Sequence, residues 1–168
     1  MTILTIDAST KSTGYAIFED TSLIYYGCIT ASSNDLIKRI QKIIEGLHPI
    51  LQEYDVDKII LEEVRPDTES GEKRNIKTYR ALMWLQAAIA FLAHEISPRS
   101  TIEYVYPSSW RAACGIKTGR GVKRASLKPA DMKFVKDNYN IEVNDDIADA
   151  IGIGHAYTNV LDNEINWE

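Results

Sequence analysis

The first thirty residues leave this chain little choice of topology. Three runs rich in β-branched and aromatic residues, 2–7 (TILTID), 14–18 (GYAIF) and 22–30 (SLIYYGCIT), follow one another with short connections, the last of them only Glu19-Asp20 and Thr21. A parallel return needs a crossover of a dozen or more residues, so strands joined this tightly pair antiparallel. The spacing predicts a hairpin and, with 2–7 close by, a three-strand meander.

The period then changes. From Asn34 to Tyr54, the residues Leu36, Ile40, Ile43, Ile44, Leu47, Ile50, Leu51 and Tyr54 recur at helical spacing. Ser33 or Asn34 is placed to cap that helix, and Pro49 inside it predicts a kink or a break. Lys58 to Glu62 (KIILE) is the next strand. A helix separates it from 2–7, which is the length a crossover requires, so these two strands should run parallel. A polar loop at 64–75 leads to a second helix over 76–96 and a strand over 101–106. Pro107 opens a short helix ending at Gly115, Pro129 opens another through about Tyr139, and a last helix runs from Asp145 to about Leu161, with Asp145 or Asn144 as its cap. The result is an α/β protein with a mixed five-stranded sheet flanked by helices, with no linker to divide residues 1–168 into more than one domain.

The helix over 76–96 is apolar nearly all round, Gln86 being the sole polar side chain between Ala81 and Ala93. Such a helix needs cover on two sides, supplied by a thicker core or by a second copy of the chain. The same run is too short to span a bilayer, and MTILTIDAST is no secretory signal. Cys28 and Cys114 stand far apart without metal-ligand spacing. A cytoplasmic protein with no membrane association is expected.

Acidic residues fall where chemistry is usually found. Asp7 ends the first strand, and Glu62 and Glu63 end the strand expected beside it. Ligand sites in open α/β sheets lie at the carboxyl ends of strands. Glu62 and Glu63 point to opposite faces, so one of them joins Asp7, and spacing alone does not say which. On the last helix Asp146 and Asp149 stand three residues apart, about 60° around the axis, and share a face. Four such carboxylates in one crevice repel each other unless hard cations sit among them. Mg²⁺ fits, with Mn²⁺ as a substitute, and two ions can activate water and stabilise the departing oxygen of a phosphodiester. His155 lies six residues beyond Asp149 and should face away from such a site, while His48 and His94 read as structural.

The net charge of −5 argues against a polyanionic partner, but its distribution does not. Between Arg111 and Lys136 there are eight basic residues against a single acid, Asp131. Counterion release depends on the contact surface and not on total charge, so this stretch can hold a nucleic-acid backbone. Arg111, Lys117, Lys123, Arg124 and Lys128 are candidate DNA contacts, with Arg65, Arg74 and Lys77 from the segment before the apolar helix.

These residues together resemble the RuvC-type Holliday-junction resolvases of the ribonuclease H-like superfamily. The likeness begins with Ile6-Asp7-Ala8-Ser9-Thr10-Lys11-Ser12-Thr13-Gly14-Tyr15, continues with Leu61-Glu62-Glu63-Val64, and ends with Asp146-Ile147-Ala148-Asp149-Ala150. It implies a ribonuclease H-like fold and selects Glu62 over Glu63 for the catalytic set Asp7, Glu62, Asp146 and Asp149. It further implies a homodimer through the apolar helix, cutting four-way and other branched DNA with Mg²⁺, each subunit nicking one strand. The chain departs from the family in three places. Ser9 stands where the family usually has glycine. Arg65 follows Val64 where bacterial members carry an aromatic residue, and an arginine can stack on bases and pair with phosphate. The stretch Lys117–Leu127 is longer and more basic, as in phage-encoded members, whose setting would be the host cytoplasm. Two other readings share these features. An actin-like or sugar-kinase-like domain has a similar loop after its first strand, but needs two domains around its nucleotide, for which 168 residues are too few. A catalytically silent scaffold of the same fold would bind branched DNA without cutting it.

Overall fold

A computed structural model describes residues 1–64 and 76–159. The three opening runs are β1 (Thr2–Asp7), β2 (Ser12–Glu19) and β3 (Ser22–Thr30). They pair antiparallel as a meander, with Ile6 opposite Tyr15 and Tyr15 opposite Gly27. Helix α1 (Leu36–Glu53) crosses to β4 (Lys58–Glu62), which runs parallel to β1 with Ile6 beside Leu61. After α2 (Ile76–Ile96), β5 (Thr101–Val105) adds parallel to β4, and the sheet order is β3-β2-β1-β4-β5. Short α3 (Pro107–Ala113), α4 (Arg124–Tyr139) and α5 (Asp145–Asn159) complete the chain.

Strand alternation divides the core into two layers. Leu4, Ile6, Ile17, Ile59 and Leu61 face α1 and α2, with Ile43, Leu47, Leu85 and Ile89 among their partners. Ile3, Ala16, Phe18 and Ile60 face the other way, against Trp110 of α3, Val135 of α4 and Ile151 and Ile153 of α5. The sheet is thus covered on both sides, the arrangement a parallel centre requires.

Three details differ from the expectation. The cap of α1 is Asp35, whose carboxylate accepts from the backbone N–H groups of Ile37 and Lys38, and not Ser33 or Asn34. Pro49 does not divide α1, which continues through it to Glu53. The lost hydrogen bond is outweighed by the apolar face around it, where Leu47, Ile50 and Leu51 are buried. Likewise α4 begins at Arg124, so Pro129 lies inside the helix and does not open it. Asn144 caps α5 through a 2.9 Å bond from the Ile147 N–H. Residues 65–75 of the loop expected over 64–75, and the last two residues expected in α5, lie outside the described residues.

Candidate active site

Register alone selects the glutamate. Ile60 belongs to the layer under α5, so Glu62, two residues on, projects to the same side, and so does Asp7, two residues after the buried Thr5. Alternation turns Glu63 the other way. With Ile6 beside Leu61, Asp7 and Glu62 close the adjacent ends of two parallel strands.

The last helix is brought down onto this spot by small residues. A Cβ on Gly14 of β2 would lie 1.9 Å from the carbonyl oxygen of Asp146, so only glycine lets the first turn of α5 rest on that strand. Thr5 Oγ1 donates 2.7 Å to the carbonyl of Ala150, a buried bond that sets where α5 sits along β1 and is worth about 1 kcal/mol. Oxygens of Asp7, Glu62 and Asp149 consequently lie within 4.8 Å of one another. Asp146 stands slightly apart: its Oδ2 accepts a hydrogen bond from Ser12, and its charge still acts on Asp7.

Glu62 and Asp149 are held from behind. Trp110 is wholly buried and its indole N–H donates 2.8 Å to Glu62 Oε2. A Cβ on Gly152 would come within 2.5 Å of that ring, so α5 carries a glycine where the indole lies against it. Gln86, the lone polar residue between Ala81 and Ala93, is buried and donates 2.8 Å to the Glu62 carbonyl. Arg111 grips Asp131 with Nε at 3.0 and 3.2 Å and Nη2 at 2.9 Å, and its Nη2 also reaches Asp149 Oδ2 at 3.1 Å. The other oxygen of Asp149, Oδ1, is buried with no hydrogen-bond partner among the described residues. Burial, followed by the charges of Glu62 and Asp146, holds the Asp7 carboxyl well above the usual carboxylate range. Burial and then the charge of Asp7 push Asp149 up to about 9. An unpartnered buried oxygen beside two further carboxylates that resist ionising together fits a hard divalent cation, which would satisfy all three.

The acids line a cavity of about 850 Å³ whose walls include Lys77, Lys128 and Arg39. Lys128 reaches from α4 to Asp145, the residue before Asp146, and holds that carboxyl below its usual range. Lys117 and Lys123 are exposed and line a neighbouring cavity of about 660 Å³ that shares Leu127 with the first. Arg111 is the correction: expected at a DNA surface, it is only 8% exposed and engaged by two carboxylates. Arg65 and Arg74 lie outside the described residues, as does the Arg124 side chain. His155 behaves as expected, its Nδ1 2.9 Å from the Tyr139 hydroxyl and its ring edge-on to Phe134. Burial lowers its pKa.

Sequence patterns alone do not point to Ser12, Trp110 or Asp131. Two faint signals existed: Asp131 is the only acid in a basic stretch, and Gln86 the only polar residue in an apolar one. In the turn after β1, Thr13 Oγ1 bonds the Ser9 carbonyl at 2.7 Å and accepts from the Ser9 N–H at 3.2 Å, so the hairpin entry closes with Ser9 in glycine's place.

Residues 3–155 match the family described as crossover junction endodeoxyribonuclease RuvC. A RuvC of that description from Methylococcus capsulatus is 32% identical over 65 residues, which span 37% of this chain and 39% of the relative. Among solved structures, Thermus thermophilus RuvC in complex with a Holliday junction substrate superposes with a TM-score of 0.69 at 14% identity, covering 93% of this chain and 92% of that one. The yeast mitochondrial Holliday junction resolvase gives 0.55 at 14% identity, over 93% of this chain and 77% of the other. With the family matched over nearly its whole length and the sheet and helices arranged as in these solved structures, the chain belongs to the RuvC family of crossover junction endodeoxyribonucleases.

Proposed function

We propose that this protein is a structure-selective endodeoxyribonuclease that resolves four-way and other branched DNA by hydrolysing phosphodiesters, one strand per subunit of a homodimer. The observation that carries the reading is the convergence of Asp7, Glu62 and Asp149 on one point, with Asp149 Oδ1 left for a ligand. Asp7, Glu62, Asp146 and Asp149 are the residues that would hold Mg²⁺, or Mn²⁺ in its place, and four carboxylates are enough donors for two ions. The bound ions supply Lewis-acid polarisation of the phosphodiester and acidify water.

The protein's own part is to hold the acids in place. Trp110 and Gln86 keep Glu62 turned to the cavity, and Arg111, braced by Asp131, turns Asp149 and offsets part of its charge. Lys77 and Lys128 stand in the cavity wall where a strand's phosphates would lie, and Lys117 and Lys123 carry positive charge beyond it. Arg65, Arg74 and Arg124 are further candidate DNA contacts in our reading. On α2, Leu85, Gln86, Ile89, Leu92 and Ala93 face the core, while Met83, Trp84 and Phe91 are exposed, Phe91 by 79%. An apolar strip of this size on a second face supports pairing of α2 with its copy. None of the helices among the described residues is long and apolar enough to cross a membrane. We place the protein's action in the cytoplasm, that of the host if a phage encodes it.

The test is cleavage of four-way, three-way and linear duplex DNA with Mg²⁺ or EDTA, alongside Asp7→Asn. Expected are Mg²⁺-dependent paired nicks in the four-way junction and their loss, with binding retained, in the variant. Equal cutting of linear duplex would remove the junction reading, and tight junction binding without metal-dependent nicking would favour a scaffold.

A further inference from the structure

The chain holds Asp146 in place with a short relay that runs through β2 to β3. Ser12 and Gly14 lie two apart on the face of β2 that meets α5, Gly14 taking the backbone of Asp146 and Ser12 its side chain. The Ser12 hydroxyl oxygen is also 3.1 Å from Cys28 Sγ on β3, where Ser12 pairs with Thr30 and Gly14 with Cys28. The direction of the relay follows from donor counts. Serine has one proton, and Ser12 donates it to Asp146, so the Cys28 thiol is left to donate to Ser12.

We propose that Ser12, oriented by Cys28, is a positioning residue for Asp146: it occupies Oδ2 so that the remaining oxygen, Oδ1, is the one turned to a cation. This rests on the reading of Asp146 as a cation ligand. Asp149 shows the same division of labour, Oδ2 held by Arg111 and Oδ1 unpartnered. The two aspartates of α5 thus differ in what holds them. Asp149 is held by a guanidinium, and Asp146 by a neutral hydroxyl. Freed of Ser12, Asp146 keeps its backbone position, because Gly14 sets that, but its carboxylate regains rotational freedom that a cation must then remove.

The experiment uses the full-length protein and Mn²⁺ as the probe, binding followed by calorimetry, with Mg²⁺ titration of junction cleavage in parallel. Ser12→Ala is expected to weaken Mn²⁺ binding and raise the half-saturating Mg²⁺ concentration by about tenfold, the worth of one hydrogen bond to a charged group. Ser12→Thr, which keeps the hydroxyl, should stay within about threefold of the parent, and Cys28→Ala should fall between the two. Melting in EDTA reports on the fold separately. Parent-like Mn²⁺ affinity in Ser12→Ala overturns the proposal, and so does an equal loss in Ser12→Thr, which would mark a packing effect. If Ser12→Ala does not fold, unchanged affinity in Cys28→Ala overturns the relay. A parent that binds no Mn²⁺ and cuts no junction would instead overturn the site reading on which this depends.

Discussion

Asp7→Asn should make the protein more stable when no divalent cation is present. In the folded chain an oxygen of Asp7 lies within 4.8 Å of oxygens of Glu62 and Asp149, and at an effective dielectric constant of about 20 each fully ionised pair at that separation repels by roughly 3 kcal/mol. Near neutral pH only part of this is felt. Asp149, pushed up to about 9, still holds its proton there, and Arg111 stands beside it. Asp7, itself raised well above the usual carboxylate range, must in the folded chain either ionise against Glu62 or keep a proton that the unfolded chain gives up. The amide removes that cost, a net gain of about 1–3 kcal/mol, or about 3–10 °C in melting temperature for a chain of this size. The pH dependence has a definite sign. Asp7 and Asp149 both have folded pKa values above the ordinary carboxylate value of 3.8. Their contribution to stability is therefore complete below about pH 4 and is lost as pH rises through the folded values, that of Asp149 being about 9. The gap between variant and parent should widen over that interval. Excess Mg²⁺ should reverse the order, because the cation stabilises the parent by mass action and finds one ligand fewer in the variant. The assay is thermal melting across pH in EDTA and in Mg²⁺. A variant that melts below the parent in EDTA at every pH would refute the reasoning, since Asp7 would then be an ordinary structural acceptor.

Other perturbations follow from the same geometry. Arg111→Ala leaves the fully buried side chain of Asp131 without its partner and should cost about 3–5 kcal/mol in denaturant unfolding, and Arg111→Lys, which cannot reproduce the bidentate grip, should recover only part. Phe91→Glu places a charge on the exposed strip of α2 and should shift the sedimentation of the proposed dimer to that of a monomer while melting changes little; an unchanged dimer would move the interface elsewhere, and a monomeric parent would remove it. Replacing Lys117 and Lys123 together by alanine should reduce the slope of log affinity against log salt by about 2 for a four-way junction, with no change if neither lysine meets phosphate.

Much of this fold could be read from short-range patterns. The meander follows from connections too short to cross over, and the parallel pairing of β1 and β4 from one long enough to do so. Asp7, Asp146 and Asp149 could be named because strand ends and one face of a helix are local properties. Pro49 does not break its helix, because it sits among side chains whose burial outweighs the lost bond, and Pro129 lies inside its helix and does not open it.

What the chain alone settled, then, was which elements form and where their acids stand along them. What only the tertiary structure decided was which groups meet. Glu62 is separated from Glu63 by the layer to which Ile60 belongs, and Trp110 finds it from 48 residues away. Arg111 looks like a surface cation within a basic stretch, yet Asp131 and Asp149, brought together by α4 and α5, draw it inside. Ser12 comes to Asp146 across 134 residues only because Gly14 lets α5 lie against β2. Periodicity reports which way a side chain faces within its own element, whereas a contact across the fold depends on packing distances that leave no local trace.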